Sequence, residues 1–308
     1  MQDARIGVVG AGLMGHGIAQ DFASAGHSVL LYDIDERWLS RARDLIAENL
    51  HTMASLRVPG ARSPEEILSR VFPETSLRAV AERCDYIVEC VVEDLEVKQE
   101  VFEVLDAYAP SHTILASNTS SLLPDQLAAR AKRADRMLVT HYFNPPYLVP
   151  LVEVVRGSGT SDRAVSSVTT LLRAAGKRTV VLHRAVPGFI VNRLQAALVR
   201  EAVSLVDQGI VSPEDIDTAV RNSIAPRMSA AGVFEVYDLT GWDVVRAVCA
   251  NVLPDLCKQT QLGNPAARMV SDGHLGVKSQ QGFYTWSTEA ARDLRGRIAQ
   301  ALAALHRS

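Results

Sequence analysis

The chain has 308 residues, of which 47% are hydrophobic and 22% are charged, and its formal net charge is −3. These values are typical of a globular protein long enough for two domains, and they exclude a disordered or collagen-like chain. The chain lacks the basic excess usual in nucleic-acid binders, and no apolar run approaches the roughly 18 residues of a membrane span, so we expect neither nucleic acid nor a membrane as a partner.

A glycine-rich turn joins the first predicted strand to the first predicted helix. Arg5–Val9 is a β-branched run typical of a buried strand, and the next six residues, GAGLMG, fit the pattern G-x-G-x-x-G. Apolar residues then recur every four positions, which predicts a helix that Gly26 ends. A second apolar strand, Ser28–Tyr32, leads directly to Asp33. This context favours a dinucleotide-binding site over a glycine-rich turn without a ligand.

Each part of the turn has a physical role in holding NAD. Gly10 permits a tight turn, Gly12 lets the backbone approach a pyrophosphate, and Gly15 lets the helix pack closely on the strand. The free N–H groups at the helix N-terminus attract the phosphates. A carboxylate at the end of the second strand can bind both ribose hydroxyls and would repel a 2′-phosphate, so we predict NAD rather than NADP. The predicted cofactor-binding residues of this region are Gly10, Gly12, Leu13, Met14, Gly15 and Asp33.

Strand and helix signals continue to alternate as far as Leu182. This alternation predicts an α/β fold with a Rossmann-type, mostly parallel sheet and helices on both faces. The stretch Leu56–Glu66 contains two prolines and a glycine and is predicted to be a loop. A helix after Asp33 has one face formed by Trp38, Ala42, Leu45 and Asn49. The further predicted strands are Tyr86–Val91, Thr113–Ala116, Met137–Thr140, Leu151–Val155 and Thr179–Leu182, and the further helices are Asp94–Tyr108 and Asp162–Ala175.

After Pro187 the pattern changes to helices only. We therefore predict two domains, an NAD-binding Rossmann-type domain over residues 1–185 and a helical domain for substrate binding and dimerisation over residues 186–308. One helix begins at Ser212 with a capping box and a proline at its first position. The other predicted helices are Gly188–Asp207, Trp242–Leu256 and Leu294–Leu305.

An apolar stripe on the last predicted helix bears on assembly. Its members are Leu294, Ile298, Leu302 and Leu305. Because the helical half has few obvious partners for its apolar faces, we expect a twofold homodimer through this half. Packing of the stripe on its own chain is the alternative.

The cysteines bear on the cellular compartment. Cys84, Cys90, Cys249 and Cys257 form no CxxC pair, so we expect reduced, mostly buried thiols and no metal site. The first predicted strand begins so early that we expect no signal peptide. These observations together predict a cytoplasmic protein.

Polar residues at strand ends are the candidates for chemistry, because ligands of open α/β sheets bind beyond the carboxyl ends of the strands. Ser117 and His141 lie at such ends, and Asn192 lies just past the domain boundary. Glu153 stands inside an otherwise apolar strand, where an unpaired carboxylate would cost several kcal/mol. An imidazole at the end of a neighbouring strand is its natural partner, so we predict a pair between Glu153 and His141.

The predicted pair suits the oxidation of an alcohol. Glu153 would hold the His141 ring and fix its tautomer, and the free ring nitrogen would take the hydroxyl proton while hydride leaves for the nicotinamide. Ser117 and Asn192 would polarise the substrate oxygen. The alternatives are structural: a satisfied histidine at a strand end, a turn closed by Ser117, and a helix-surface amide at Asn192. The other histidines are expected to be surface or structural residues, and His16 is expected to face solvent.

Six segments carry further motifs: GAGLMGHGIA (Gly10–Ala19), VVEDLEVKQEVF (Val91–Phe102), SNTSSL (Ser117–Leu122), HYFNPPYLVPLVEVV (His141–Val155), PGFIVNRL (Pro187–Leu194) and GVKSQQGFY (Gly276–Tyr284). Together they resemble the 3-hydroxyacyl-CoA dehydrogenase family over nearly the whole chain. The resemblance implies a Rossmann-type domain, then a helical domain that dimerises and closes a cleft, with His141 and Glu153 as the catalytic pair. It also implies contacts to substrate and cofactor from Ser117, Asn144 and Asn192, and cofactor-side positions for Glu93, Lys98 and Lys278.

We therefore expect an NAD-dependent oxidoreductase that reversibly oxidises the 3-hydroxyl of a short 3-hydroxyacyl-CoA, such as 3-hydroxybutyryl-CoA, to the 3-oxo product in fatty acid metabolism. A free polar hydroxy acid, resembling gulonate or carnitine, is the alternative substrate. A non-catalytic, NAD-binding structural protein is the alternative from a different class.

Departures from the family pattern are the reason for the alternative substrate. The segment Ala225–Val233 replaces a shorter turn, resembles the lambda-crystallin and gulonate dehydrogenase branch, and contains Arg227, which would suit a substrate carboxylate. Gln280 stands where the family usually has glycine. Near the stretch that matches the family's CoA contacts, residues 48–57, the only cation is Arg57, although Arg62 and Arg70 would contribute if the following loop folds back.

Overall fold

Eight strands form a single sheet in the computed structural model, which describes residues 4–59 and 62–306. The strands are β1 (Arg5–Val9), β2 (Ser28–Tyr32), β3 (Val71–Glu74), β4 (Tyr86–Glu89), β5 (Ile114–Ser117), β6 (Met137–Tyr142), β7 (Leu151–Arg156) and β8 (Arg178–Leu182). Their spatial order is β3-β2-β1-β4-β5-β6-β7-β8. All neighbours are parallel except β6 and β7, which are antiparallel. The strand order reverses between β1 and β4, which is where open α/β sheets bind ligands.

The sheet belongs to the first of two units, which comprises the residues up to Ile190 together with those from Arg295 on. Short 3₁₀ turns at Ala128–Arg130 and Ala134–Arg136 precede β6. The helices between the strands are α1 (Gly15–Ser24), α2 (Glu36–Ser55), α3 (Pro64–Leu68), α4 (Leu77–Arg83), α5 (Leu95–Tyr108), α6 (Pro124–Leu127) and α7 (Asp162–Ala174).

Two clusters of buried apolar side chains form the core of this unit. Phe22 of α1 and Val8 of β1 lie in one cluster, and Phe102 of α5 and Val9 of β1 lie in the other. Neighbouring residues of β1 thus point to opposite faces of the sheet, as the pleat requires. Because both faces are covered, the strands are almost continuously apolar, and a charged residue inside one of them needs a specific partner.

The second unit, Val191–Leu294, is helical. All of its residues are described, and only Val203 and Ala291 among them are buried. Its helices are α8 (Val191–Asp207), α9 (Pro213–Ala219), α10 (Ala225–Ala230), α11 (Val233–Thr240), α12 (Trp242–Val252) and α13 (Asn264–Ser271), with a π-helical segment at Val220–Ile224. The last helix, α14 (Thr288–Ala304), begins here and ends in the first unit.

The predicted fold class is confirmed, with helices on both sides of a mostly parallel sheet and a helical C-terminal part. Within residues 4–59 and 62–306, none of the helices has the length and apolar character that a membrane crossing requires.

Several local predictions are wrong at the chain segment between β2 and β4. The sequence predicts Leu56–Glu66 as a loop, but α3 begins at Pro64, because the Ser63 hydroxyl accepts the N–H of Glu66 and proline suits the first helical turn. Gly60, part of the same predicted loop, lies outside the described residues. Strand β3 and helix α4 are missing from the prediction. The buried face of α2 consists of Leu39, Ala42, Ile46 and Leu50 rather than the predicted set.

Three further expectations need correction. The segment Ala225–Val233 is not a long turn, because α10 occupies most of it. The four cysteines are free, but only Cys84 is buried. On α14, Leu302 packs against the buried Val58 and Leu148 of the first unit, so part of the predicted stripe is covered by its own chain.

Candidate active site

The turn between β1 and α1 presents open backbone to one side. Gly10 has a φ of +102°, which favours glycine, and a Cβ on Gly15 would lie 1.7 Å from the Gly10 carbonyl oxygen. A Cβ on Gly12 would instead meet no atom within 4 Å. Leu13 beside it is 69% exposed, and Met14 is the N-cap of α1. The turn therefore fits a dinucleotide pyrophosphate held by N–H groups at the N-terminus of α1.

Asp33 follows β2 and is hydrogen-bonded to the glycine-rich turn. Its Oδ2 accepts the N–H of Ala11 at 2.8 Å, and its Oδ1 accepts the N–H of Asp35 at 3.0 Å. Each carboxylate oxygen has a second lone pair, so the side chain can still accept ribose hydroxyls. The nearby guanidinium of Arg37 is paired with Asp35 at 2.6 Å. Its positive charge is therefore not available to neutralise a 2′-phosphate. The geometry agrees with NAD as the cofactor.

His141 and Glu153 are directly opposite each other in the antiparallel pair of β6 and β7. Opposed residues place their side chains on the same face of a sheet, and His141 Nδ1 is 2.8 Å from Glu153 Oε2. The other carboxylate oxygen, Oε1, accepts the backbone N–H of Ile190 at 2.9 Å. The structure thus brings together the two residues that the sequence pairs, and it supplies the buried carboxylate with donors.

The His141 ring is held in one orientation with one nitrogen available. It packs against Phe143 and Phe189, with ring centroids 4.5 and 5.5 Å away, and its side chain is 6% exposed. Because a carboxylate can only accept, this contact favours the tautomer with the proton on Nδ1, in which Nε2 carries the lone pair. Within the described part of the chain, Nε2 has no hydrogen-bond partner. A neutral imidazole with a free acceptor nitrogen is suited to act as a general base.

A second buried polar cluster lies at the carboxyl ends of β4 and β5. At its centre, Glu89 Oε1 accepts Lys98 Nζ at 2.8 Å and the N–H of Val91 at 2.6 Å. Glu89 Oε2 accepts the Ser117 hydroxyl at 2.6 Å. Glu89 and Ser117 are 0% exposed and Lys98 is 1% exposed. In this arrangement, Ser117 and Lys98 are buried and hold the Glu89 carboxylate in place. Their contacts to substrate or cofactor stay predictions.

Glu93 is the exposed end of this cluster. Its Oε2 is 3.4 Å from Lys98 Nζ, and its Oε1 accepts the hydroxyl of Ser121 at 2.8 Å and the hydroxyl of Thr119. The side chain is 42% exposed. Partial burial acts to raise the pKa of Glu93, but the two hydroxyls and Lys98 outweigh it and lower the pKa overall. Glu93 is therefore a fixed, ionised carboxylate at the edge of the crevice.

Burial raises the pKa of Glu89, whereas Lys98 and the Ser117 hydroxyl act against that shift. All three of its protein contacts are hydrogen-bond donors. This donor set is the one that an ionised carboxylate requires, so Glu89 and Lys98 form a buried ion pair.

The remaining predicted site residues lie at or near the surface. Asn144 follows β6 in the first unit and is exposed. In the second unit, Asn192 is the second residue of α8, Arg227 donates to the backbone oxygen and hydroxyl of Ser223, and Lys278 is exposed. The functional roles of these residues stay predictions.

Gln280, where the family usually has glycine, has a φ of +61°. Glycine adopts this left-handed conformation without the steric cost that a Cβ brings, which accounts for the family preference.

The cations near the stretch that matches the family's CoA contacts mostly have partners already. Arg62 is paired with Glu66 at 2.6 Å, and Arg70 donates to the carbonyl oxygen of Gly26 at 2.9 Å. Arg57 is exposed. The provision for CoA phosphates in this part of the described chain is therefore small.

Some residues that shape the site carry no clear signal in the sequence. His16, expected to face solvent, is only 6% exposed, and its Nδ1 is 2.7 Å from the carbonyl oxygen of Gly12. Burial lowers the pKa of His16. The ring therefore restrains the glycine-rich turn.

A buried ion pair also restrains the loop that follows His141. Lys177 Nζ is 2.6 Å from Asp21 Oδ2 and donates to the carbonyl oxygens of Pro146 and Val149 at 2.7 and 3.3 Å. Asp21 lies on α1, so the pair ties this loop to the helix that begins at the glycine-rich turn. In the sequence, the position of Lys177 next to Gly176 carries no recognisable signal of this role.

The strand order and the turn after β1 define a dinucleotide-binding domain of the Rossmann type. Residues 5–185 match the family model for the 3-hydroxyacyl-CoA dehydrogenase NAD binding domain, and residues 188–286 match that for the C-terminal domain. The chain belongs to the 3-hydroxyacyl-CoA dehydrogenase family and is an NAD-dependent oxidoreductase. The predicted family, enzyme class and cofactor are thus confirmed.

Individual relatives differ in their named substrates. The chain is 38% identical over 287 residues to the mitochondrial hydroxyacyl-coenzyme A dehydrogenase of Sus scrofa, which covers 91% of this chain and 90% of the relative. It is 30% identical over 304 residues to the 5-formyl-3-hydroxy-2-methylpyridine 4-carboxylate 5-dehydrogenase of Mesorhizobium japonicum. This match covers 98% of this chain and 97% of the relative. A solved structure of an enzyme of that second description, an NAD+-dependent dismutase, has a TM-score of 0.91 at 30% identity and covers 99% of this chain and 98% of that one.

Proposed function

We propose that this oxidoreductase oxidises the 3-hydroxyl of a short 3-hydroxyacyl-CoA to the 3-oxo product, with His141 as the general base. The observation that carries the proposal is the buried His141–Glu153 pair, whose 2.8 Å contact leaves Nε2 as the acceptor. The name of the Sus scrofa relative supports the acyl-CoA substrate.

The proposed chemistry removes a proton and a hydride from one secondary alcohol. His141 Nε2 takes the hydroxyl proton, the electrons of the O–H bond form the new C=O bond, and the C–H electron pair leaves as hydride. NAD supplies the hydride acceptor when bound. The Glu153 carboxylate stabilises the imidazolium that forms, and Phe143 and Phe189 keep the ring in place. In the reverse direction His141 returns the proton to the oxygen.

A free carboxylate substrate is the second candidate, and two observations favour it. The relative whose name contains a pyridine carboxylate matches this chain almost end to end. Arg62 and Arg70, which would contribute to CoA binding only if the following loop folds back, already contact Glu66 and the carbonyl oxygen of Gly26. In this alternative, Arg227 binds the substrate carboxylate in a charge-assisted pair.

A substrate panel distinguishes the two candidates. The purified chain is given NAD with 3-hydroxybutyryl-CoA, L-gulonate or L-carnitine, and NADH absorbance is followed. The acyl-CoA proposal expects a kcat/KM of at least about 10⁴ M⁻¹s⁻¹ for 3-hydroxybutyryl-CoA, the low end for a natural substrate. A far lower value beside rapid oxidation of a free acid would overturn it.

The variant Arg227→Ala sharpens the result. If a free acid is the substrate, we expect KM for that acid to rise roughly tenfold through loss of the charge-assisted pair. Arg246→Ala, which removes another exposed guanidinium of the second unit, is the matched control and should leave KM unchanged.

We further propose that the chain is a homodimer through its second unit. In that unit Phe234 is 73% exposed, Leu239 is 91% exposed and Trp242 is 50% exposed. Monomeric proteins rarely leave contiguous apolar surface of this kind uncovered, and a second copy of the same chain is the simplest cover.

A further inference from the structure

The cluster of Glu89, Lys98 and Glu93 carries a net negative charge. The cofactor that this domain binds changes its own charge when it accepts hydride. Two carboxylates and one ammonium leave a net charge of −1. Glu89 and Lys98 are 0% and 1% exposed in their side chains, so solvent screens them little. The question is which part of the cofactor this charge acts on.

The position of the cluster in the sheet indicates which part of the cofactor its charge acts on. Glu89 is the register partner of Val9, the residue before the glycine-rich turn that holds the pyrophosphate. Ser117, which donates to Glu89, is the register partner of Val139 on the strand that carries His141. Strands β4 and β5 thus lie between the pyrophosphate turn and the proposed base. A dinucleotide that reaches from one to the other passes its nicotinamide half over the ends of these two strands.

The nicotinamide ring is positively charged in NAD+ and neutral in NADH. A fixed negative charge beneath it therefore attracts the oxidised form and has little effect on the reduced form. We propose that the buried Glu89 is a specificity-determining residue that shifts the relative affinity of this enzyme toward NAD+ and away from NADH, through the net negative charge that it gives the cluster with Lys98 and Glu93. The proposal rests on the proposed function only in that His141 fixes where the nicotinamide lies.

The same geometry gives Ser117 a structural role beside the predicted one. Its hydroxyl proton is donated to Glu89, and its oxygen accepts the N–H of Thr119 at 3.2 Å. Ser117 therefore helps to keep the carboxylate ionised and fixes the following turn. Lys98 is likewise a positioning residue, which holds Glu93 at the crevice edge.

Binding titrations without substrate test the proposal. Affinities for NAD+, NADH and ADP-ribose are measured by calorimetry for the native chain and for Glu89→Gln, which removes the charge and nearly preserves the shape. We expect Glu89→Gln to weaken NAD+ binding roughly tenfold relative to NADH, the effect of one unit charge over about 10 Å at an effective dielectric constant of about 20. ADP-ribose lacks the nicotinamide, so its affinity should stay close to the native value.

A double variant separates charge from shape. Glu89→Gln with Lys98→Met restores the net charge of −1 while it removes both members of the ion pair. If charge is the cause, the NAD+ to NADH affinity ratio returns toward the native value. A ratio that stays shifted in the double variant, or equal weakening of NAD+, NADH and ADP-ribose in Glu89→Gln, would overturn the proposal.

A third variant covers the case in which Glu89→Gln does not fold. Glu93→Gln changes the same net charge at a side chain that is 42% exposed. We expect the ratio to shift in the same direction by a smaller factor, roughly threefold, because solvent screens this position. An unchanged ratio would contradict the proposal. These titrations do not involve turnover, so their failure is distinguishable from failure of the proposed reaction, which a variant at His141 reports.

Discussion

The two units of this chain differ sharply in how much of their apolar surface they bury. The first unit has two clusters of buried side chains that cover its sheet. The second unit, whose residues are all described, buries only Val203 and Ala291. Both units have amphipathic helices, so the difference does not come from the sequence pattern alone. The first unit therefore completes its own core, whereas the second exposes apolar surface that a partner would cover.

The difference extends to the predicted site residues. In the first unit, His141 and Glu153 are buried, paired and held by neighbouring rings. In the second unit, Arg227 and Lys278 are exposed. The proposed chemical centre is therefore held within one unit, whereas the predicted ligand-binding residues Arg227 and Lys278 lie on exposed surface of the second unit.

Truncating a buried ring in the first unit should have the largest effect. Phe22 is 1% exposed and packs against Tyr86 with ring centroids 5.6 Å apart. We expect Phe22→Ala to lower the free energy of unfolding by about 3–5 kcal/mol, measured by urea denaturation. In the second unit, Leu239→Ala should cost no more than about 0.5 kcal/mol in a monomer. Similar losses for both variants would remove the contrast between the units.

Breaking the buried ion pair of the first unit should have a comparable or slightly smaller effect. Lys177→Met leaves the Asp21 carboxylate buried without its cation, and we expect a loss of about 3–5 kcal/mol in the free energy of unfolding. The matched control is Arg78→Met, which breaks an exposed pair with Glu82 and should cost at most about 1 kcal/mol. Equal losses in the free energy of unfolding for the two variants would show that the buried pair does not restrain the fold.

A charge on the exposed apolar surface of the second unit should change assembly and not folding. Phe234→Asp places a carboxylate beside Trp242, whose ring is 6.4 Å away. We expect light scattering to give a dimer mass for the native chain and a shift toward the monomer for the variant, with unchanged circular dichroism. A native chain that is monomeric at micromolar concentration would contradict the proposed homodimer.

The smallest predicted effect concerns the choice of cofactor. NAD should bind at least about tenfold more tightly than NADP, which corresponds to about 1.4 kcal/mol. Asp33→Ala should reduce that difference, because the carboxylate that repels a 2′-phosphate is removed. Calorimetric titration with both cofactors measures it, and equal native affinities would refute the role of Asp33.

The sequence is sufficient for the sheet apart from β3, and for the central pair, because both depend on strong local patterns. A charged residue in a continuous apolar strand needs a partner, and this rule paired Glu153 with His141. The same rule applied to Glu89 would have found the second cluster, since Glu89 also stands in an apolar strand.

Other elements gave weaker or misleading signals. Strand β3 has four residues and contains Pro73, which argues against a strand except at a sheet edge, where β3 lies. Helix α3 carries the same serine–proline start that correctly predicted α9. The buried face of α2 is displaced from the predicted one because tertiary packing selects Leu39 and leaves Trp38 45% exposed. Burial in the second unit depends on what covers its surfaces, which periodicity does not encode.

The most direct test of the central claim is the turnover of His141→Gln. We expect kcat to fall by roughly two to four orders of magnitude, the usual contribution of a positioned general base, while calorimetric NAD affinity and the unfolding temperature stay near native values. His112→Gln, which alters an exposed histidine paired with Asp85, is the control and should retain native kcat. A His141→Gln enzyme with near-native kcat on the substrate that the panel identifies would contradict the assignment of His141 as the base.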